Sequence, residues 1–195
     1  MGYKVEIGVS NKHLHLCREH IDILFGKGHE LTNLKGINQP GQFACEEKVD
    51  VEGPKGIIKG LRVLGPARSE TQVELALTDA RGVGIKVPIR ESGKLEGSPG
   101  CRLIGPVGAV ELTNGVIAAQ RHIHLSDEDA LEAGVSNEEI VSVRIIGNGE
   151  RSLVLEQVMI RSGECHFKEM HIDTDEGNAA GCCTGDLAEI IKVSS

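Results

Sequence analysis

The chain has 195 residues, enough for one large domain or two small associated ones with a real buried core, and a formal net charge of −8. Its acidic residues are spread along the sequence and its aromatics are only Tyr3, Phe25, Phe43 and Phe167. That argues against a nucleic-acid partner, which needs a positive footprint and stacking platforms. No run of 18 apolar residues exists to span a membrane, and Met1–Val9 has no charged leader before an apolar block, so a cytoplasmic protein with no membrane partner is expected.

Tyr3–Val9 alternates apolar and polar residues, the pattern of a half-buried strand. It runs into His13-Leu14-His15-Leu16. Residues two apart on a strand share a face, so the two imidazoles aim at one point while the leucines turn away. Arg18–Phe25 follows with Ile21, Leu24 and Phe25 on a helical period, stopped by Gly26. Lys27–Gln42, rich in Gly, Asn and Pro, reads as a loop or small excursion. Lys48–Val51 and Ile57–Leu64 then flank Glu52-Gly53-Pro54-Lys55-Gly56 as a hairpin, and Gly65-Pro66-Ala67-Arg68 makes a sharp turn. Gln72–Leu77 alternates again, Thr78-Asp79-Ala80 opens a brief helix, and loops at 91–93 and 97–100 lead to a turn at 105–108.

The scheme then repeats. Arg121-His122-Ile123-His124-Leu125 matches Lys12–Leu16 in pattern, Ser126 stands as an N-cap with Asp129 three residues on, and Gly134 ends a short helix. Val141–Ile145 and Leu153–Ile160 flank Gly147-Asn148-Gly149-Glu150, and Cys165–Ile172 alternates before Thr174-Asp175-Glu176. Many short strands with Gly/Pro turns and few short helices indicate two related halves built as small β-barrels or sandwiches.

Six cysteines show no C-x-x-C spacing and predict no disulfide framework; they read as small, partly buried filler. Cys17 shares parity with His13 and His15, but its counterpart in the second copy is Ser126. Imidazole is the commonest protein ligand for zinc, and a catalytic zinc usually takes three protein ligands and keeps a position open. Glu74 precedes Thr78-Asp79 on one alternating strand and His171 precedes Thr174-Asp175 on another. The expected sets are therefore His13, His15 and Glu74 for one metal, and His122, His124 and His171 for a second. His20, His29 and His166 lack a paired context and read as structural or exposed. Arg62, Arg68 and Lys35 could serve one anionic ligand, or be ordinary surface charges.

Several stretches together carry a resemblance: Val9–Leu16, Gln39–Ala44, Arg62–Arg68, Glu91-Ser92-Gly93 with Gly97–Gly100, Arg121–His124 and Met170–Glu176. In this order, and over almost the whole chain, they resemble the PduL-type phosphate propanoyltransferases, a phosphotransacylase family. The resemblance implies reversible conversion of acyl-CoA and phosphate to acyl phosphate and CoA, with two zinc ions per chain on the triads above. It implies a mainly β fold of two small β-barrels with short capping α-helices, the N-terminal strand completing the C-terminal barrel. Residues 1–11 with 120–195 would form one barrel and 12–119 the other, with 26–46 as an excursion. Arg68 matches the family's phosphate-holding arginine, and Ser10, Lys35, Arg62, Leu64 and Asn178 its CoA contacts, with Val9 and Asn11 beside them. The family further suggests a homodimer. Many members carry a microcompartment-directing extension; with the first strand starting almost at Met1, none is expected here. The rival readings are a zinc-dependent hydrolase and a non-catalytic metal-binding protein, and acyl chain length, propionyl or acetyl, is not encoded in any short motif.

Overall fold

The computed structural model describes residues 2–146, 149–164 and 166–191. In the first half the strands are β1 (Lys4–Ser10), β2 (His13–His15), β3 (Asn33–Gly36), β4 (Phe43–Gly53), β5 (Gly56–Gly65) and β6 (Gln72–Glu74). They are followed by β7 (Ile89–Arg90), β8 (Arg102–Ile104), β9 (Ala109–Glu111) and β10 (Val116–Ala119). The second half adds β11 (His122–Leu125), β12 (Ile140–Ile145), β13 (Leu153–Ser162), β14 (Glu169–Asp173) and β15 (Leu187–Ile191). Among the described residues, four short helices punctuate them: α1 (Arg18–Phe25), α2 (Leu77–Gly82), α3 (Asp127–Ala133) and α4 (Thr174–Ala180). None is long and apolar enough to cross a membrane.

The chain divides into two compact units, one comprising Met1–Ser10, Asn38–Pro40 and Gln120–Ser195, the other Asn11–Ile37 and Gly41–Ala119. The first is a closed six-stranded barrel in the order β1-β14-β11-β13-β12-β15. The N-terminal strand completes it, running parallel to β14 and antiparallel to β15. Alternation along β1 sends Val5 and Ile7 inward, where they join Ile123, Leu125, Val143, Ile160 and Met170 in one core. The second unit is a nine-stranded sheet in the order β7-β10-β6-β2-β5-β4-β8-β9, with β3 on β4. The fold is thus mainly β as expected, but the ladder of the second unit ends at β7 and β9 instead of closing. Its core gathers Leu14, Leu16, Val49, Val63, Val73 and Leu103.

Local chemistry accounts for the breaks. In the β4–β5 hairpin Gly53 pairs with Gly56 across Pro54-Lys55, and a Cβ at Gly53 would sit 2.5 Å from the Val83 carbonyl oxygen. The Ser126 hydroxyl accepts the Asp129 amide to open α3, and Gly134 closes that helix in the left-handed region at φ 65°. Cys17 holds the corresponding position before α1 and makes no side-chain cap, since a thiol is a weak acceptor. α4 opens with a reciprocal pair, Asp173 accepting the Glu176 amide while the Glu176 carboxylate accepts the Asp173 amide.

Several expected boundaries shift. The excursion Lys27–Gln42 contains β3, and its segment Asn38–Pro40 groups with the barrel unit. β4 begins at Phe43, five residues before the expected start, because it pairs with β3 as well as β5. β6 ends at Glu74, since Leu77 already opens α2. β14 begins at Glu169; of the expected alternation from Cys165, that cysteine lies outside the described residues, as does part of the turn at 147–150. The cysteines Cys45, Cys101 and Cys182 are buried filler, Cys17 is half-buried, and Cys183 is exposed, contrary to expectation, just after the end of α4.

Gly8 on β1 has a specific duty. A Cβ there would lie 2.9 Å from Cδ of Glu169, a carboxylate only 5 % exposed on the neighbouring strand. Gly8→Ala is expected to destabilise the protein by about 1–3 kcal/mol through overpacking, measured by denaturant unfolding. An unchanged midpoint would show that Glu169 moves aside without penalty.

Candidate functional site

In the second unit β2 lies between β5 and β6. Its register places Arg62 and Glu74 on either side of His13, and Gln72 beside His15. Registered neighbours share a face, so His13, His15, Glu74, Gln72 and Arg62 project together while Leu14 enters the core. Both imidazoles are oriented by main-chain carbonyls: His13 Nδ1 is 2.8 Å from Asn11 O and His15 Nδ1 is 3.2 Å from Leu64 O. A carbonyl can only accept, so each Nδ1 carries a proton, and in the neutral ring Nε2 presents a lone pair. These face Glu74, His13 Nε2 at 3.4 Å from Oε2 and His15 Nε2 at 3.9 Å from Oε1. One ligand atom from each of His13, His15 and Glu74 falls within 4.8 Å of the others. Two imidazole nitrogens and a carboxylate oxygen are a donor set that suits a catalytic zinc, which takes three protein ligands.

Electrostatics distinguish the three groups. Burial, helped by the nearby Arg68 and His13, takes His15 down to about 3, so it is neutral at physiological pH. Burial alone would favour the acid form of Glu74, but His13, His15 and Arg68 outweigh it and hold the carboxyl far below its usual range. Burial lowers His13 while Glu74 raises it, and the carboxylate prevails.

Arg68 follows the Gly65–Pro66 turn. Its main-chain N–H donates to Leu16 O at 2.9 Å, and its Nη1 donates to the Ser92 hydroxyl at 3.1 Å. The same hydroxyl lies 3.2 Å from Glu74 Oε1, which ties the arginine to the face carrying His13, His15 and Glu74. Arg62 donates through Nη1 to the Cys45 carbonyl. Lys35 on β3 and Leu64 on β5 both register with Ala44 of β4, and Asn11 precedes β2 with its carbonyl on His13. Cys17 belongs to no ligand group among the described residues; its amide donates to the Thr71 hydroxyl.

The barrel unit repeats the device. His122 Nδ1 is 2.8 Å from Gln120 O, the same i−2 carbonyl that orients His13. Its Nε2 sits 3.1 Å from His124 Nε2. Across β11 and β14 His122 registers with His171 and His124 with Glu169, so four ligand-type side chains share one face. The rings of His122 and His171 stack 5.1 Å apart, and His171 Nε2 lies 3.0 Å from Glu169 Oε2. This set is looser than the first: among the described residues, only His13, His15 and Glu74 bring three ligand atoms within the shared 4.8 Å. Burial, with His122 and His171 adding to it, takes His124 down to about 2, leaving it a neutral donor.

Two members of this cluster escaped the sequence reading. His166, read as structural or exposed, places Nδ1 2.8 Å from His124 Nδ1. Glu169 also accepts from Asn38 Nδ2 at 2.7 Å, and Gln39 Nε2 reaches the Phe167 carbonyl at 3.4 Å. The signal for Glu169 was present, since it shares strand parity with His171; none was available for His166 or Asn38. His20 and His29 are structural, meeting the Thr71 hydroxyl at 2.7 Å and Glu47 Oε1 at 2.8 Å. Of the remaining predicted positions, Val9 and Ser10 end β1 and Asn178 lies in α4. The two elements meet where Gly177 faces Val9: a Cβ there would be 3.1 Å from Val9 Cγ1.

The family model described as phosphate propanoyltransferase matches residues 6–183. A phosphate propanoyltransferase of Thermotoga maritima is 50% identical over 186 residues, 95% of this chain and 88% of the relative. Those of Enterococcus faecalis and Citrobacter freundii are 47% and 50% identical over 187 and 177 residues, covering 96% and 91% of this chain and 88% and 83% of their own lengths.

Proposed function

Because the chain belongs to the phosphate propanoyltransferase family, we propose that it is a phosphotransacylase that moves a short acyl group, propionyl or acetyl, reversibly between CoA and inorganic phosphate, with two zinc ions per chain. His13, His15 and Glu74 hold one ion and His122, His124 and His171 the other. A zinc ion in such a set supplies a Lewis acid beside the reacting carbonyl and thiolate. Arg68 holds phosphate by charge-assisted hydrogen bonds and presents one oxygen to the thioester carbon. That oxygen forms the new C–O bond as the C–S bond breaks, and the CoA thiolate leaves to take a proton from solvent. Val9, Ser10, Asn11, Lys35, Arg62, Leu64 and Asn178 bind CoA.

The observation that carries this reading is the convergence of His13, His15 and Glu74, joined to Arg68 through one shared hydroxyl. A metal-binding protein without catalysis has no use for an arginine fixed there. Direct transfer, with no acyl-enzyme, is supported by the buried thiols: burial pushes Cys45 up to about 11 and Cys101 up to about 12, so neither is a thiolate at neutral pH. In a thiol-release assay with acetyl-, propionyl- and butyryl-CoA, CoA release is expected to require phosphate. Release of equal rate without phosphate would make the protein a hydrolase, and an acyl adduct trapped on a cysteine would end the direct mechanism.

A further inference from the structure

Gln72 lies on the metal-binding face of β6 yet is not a zinc-type ligand. It is 1 % exposed, and the amide's orientation is fixed. Its Oε1 accepts the Gly93 main-chain N–H at 2.7 Å; an N–H can only donate, so this end is the carbonyl and the other the NH2. That NH2 donates to Glu74 Oε1 at 2.5 Å and to the Ser92 hydroxyl at 2.8 Å. The Arg68 guanidinium also donates to this hydroxyl. Both neighbours being donors, the single proton of Ser92 must go to Glu74 Oε1, 3.2 Å away. Every atom of the relay is then satisfied. Glu74 Oε1 takes two hydrogen bonds, from Gln72 and Ser92, and Oε2 is left facing His13.

We propose that Gln72 is a positioning residue for acyl transfer. It fixes which oxygen of Glu74 faces the metal and, through Ser92 Oγ, sets the guanidinium of Arg68 against the same carboxylate. The metal and phosphate groups of the second unit are thereby held in one register, by the loop carrying Ser92 and Gly93. This deepens the function proposed above and rests on Arg68 as the phosphate group. Outer partners of this kind change metal affinity or activity by about 10–100-fold when removed.

The test uses the full-length, zinc-loaded protein. Gln72→Met keeps the volume and removes both polar ends, while Ser92→Ala removes only the shared hydroxyl. For Gln72→Met the expected result is that zinc leaves at roughly 10-fold lower chelator and that the KM for phosphate rises by a similar factor, while the KM for acyl-CoA holds within about twofold. Ser92→Ala is expected to raise the KM for phosphate, and Ser92→Thr, which keeps the hydroxyl, to restore it. Parent-like zinc release in Gln72→Met, or a parent-like phosphate KM in Ser92→Ala, overturns the proposal. So do equal rises in both KM values, which mark general loosening. The chelator titration needs no turnover, so it decides Gln72 even if Arg68→Ala were to show that the phosphate assignment is wrong.

Discussion

Arg68→Ala is expected to lower kcat/KM for phosphate by roughly 10²–10³-fold, the usual consequence of removing one preorganised donor from developing charge, while leaving zinc content at the parent level. The reason lies in the wiring: the hydrogen-bonded link from Arg68 to the Glu74 carboxylate runs through the Ser92 hydroxyl. Glu74 keeps its hydrogen bond from Gln72 and its contacts with His13 and His15 when the guanidinium is gone. Phosphate, by contrast, loses a directional cation that water or a lysine does not replace, because only the planar fork meets two oxygens at once. Metal analysis beside steady-state kinetics at varied phosphate checks both halves. Full activity would remove Arg68 from the phosphate site, and a parallel loss of zinc would make it a structural group.

Glu74→Gln should have the larger effect. The substitution keeps size but replaces the one anionic member of the first triad by an amide, which binds zinc poorly. It also leaves His13, whose proton affinity Glu74 raises, beside a neutral group. Zinc is expected to be lost from this triad, and turnover to fall by about 10³-fold or more, the several kcal/mol attributed to Lewis-acid stabilisation. Inductively coupled plasma analysis and zinc add-back read the result. The His122, His124 and His171 set has different ligands, so part of the metal should remain. Wild-type turnover in a variant that has lost this zinc would separate the metal from the chemistry.

Both expectations start from features legible in the chain itself. Two His-x-His pairs place imidazoles on one face wherever they fall on strands, because side chains alternate at every residue; β2 and β11 are such strands. Glu74 and His171 were within reach for the same reason, each sitting on an alternating segment that register sets opposite a histidine. α1 and α3 were marked by Gly26 and by the Ser126–Gly134 pair. What alternation does not carry is pairing between distant segments. Asn38 meets Glu169 across more than a hundred residues, and His166 reaches His124 from a stretch without ladder pairing. The open ends of the second sheet are equally invisible, since closure depends on the sum of strand tilts and staggers, not on any residue. Gln72 was readable as a strand residue; its role needed the positions of Gly93 and Ser92.

The placement of β1 bears on how the molecule is made. A ribosome releases this strand before the other fourteen described strands, yet its hydrogen-bonding neighbours, β14 and β15, emerge more than 150 residues later. Until then both its edges are open, a condition that invites pairing with the wrong chain. The segments of the other unit are complete by Ala119, so the barrel's seam is the last joint to be sealed during synthesis. Long-range closure of that sort is slow, which makes the early strand the point where chaperone capture, or a bulky fusion partner at the amino end, has most influence on yield.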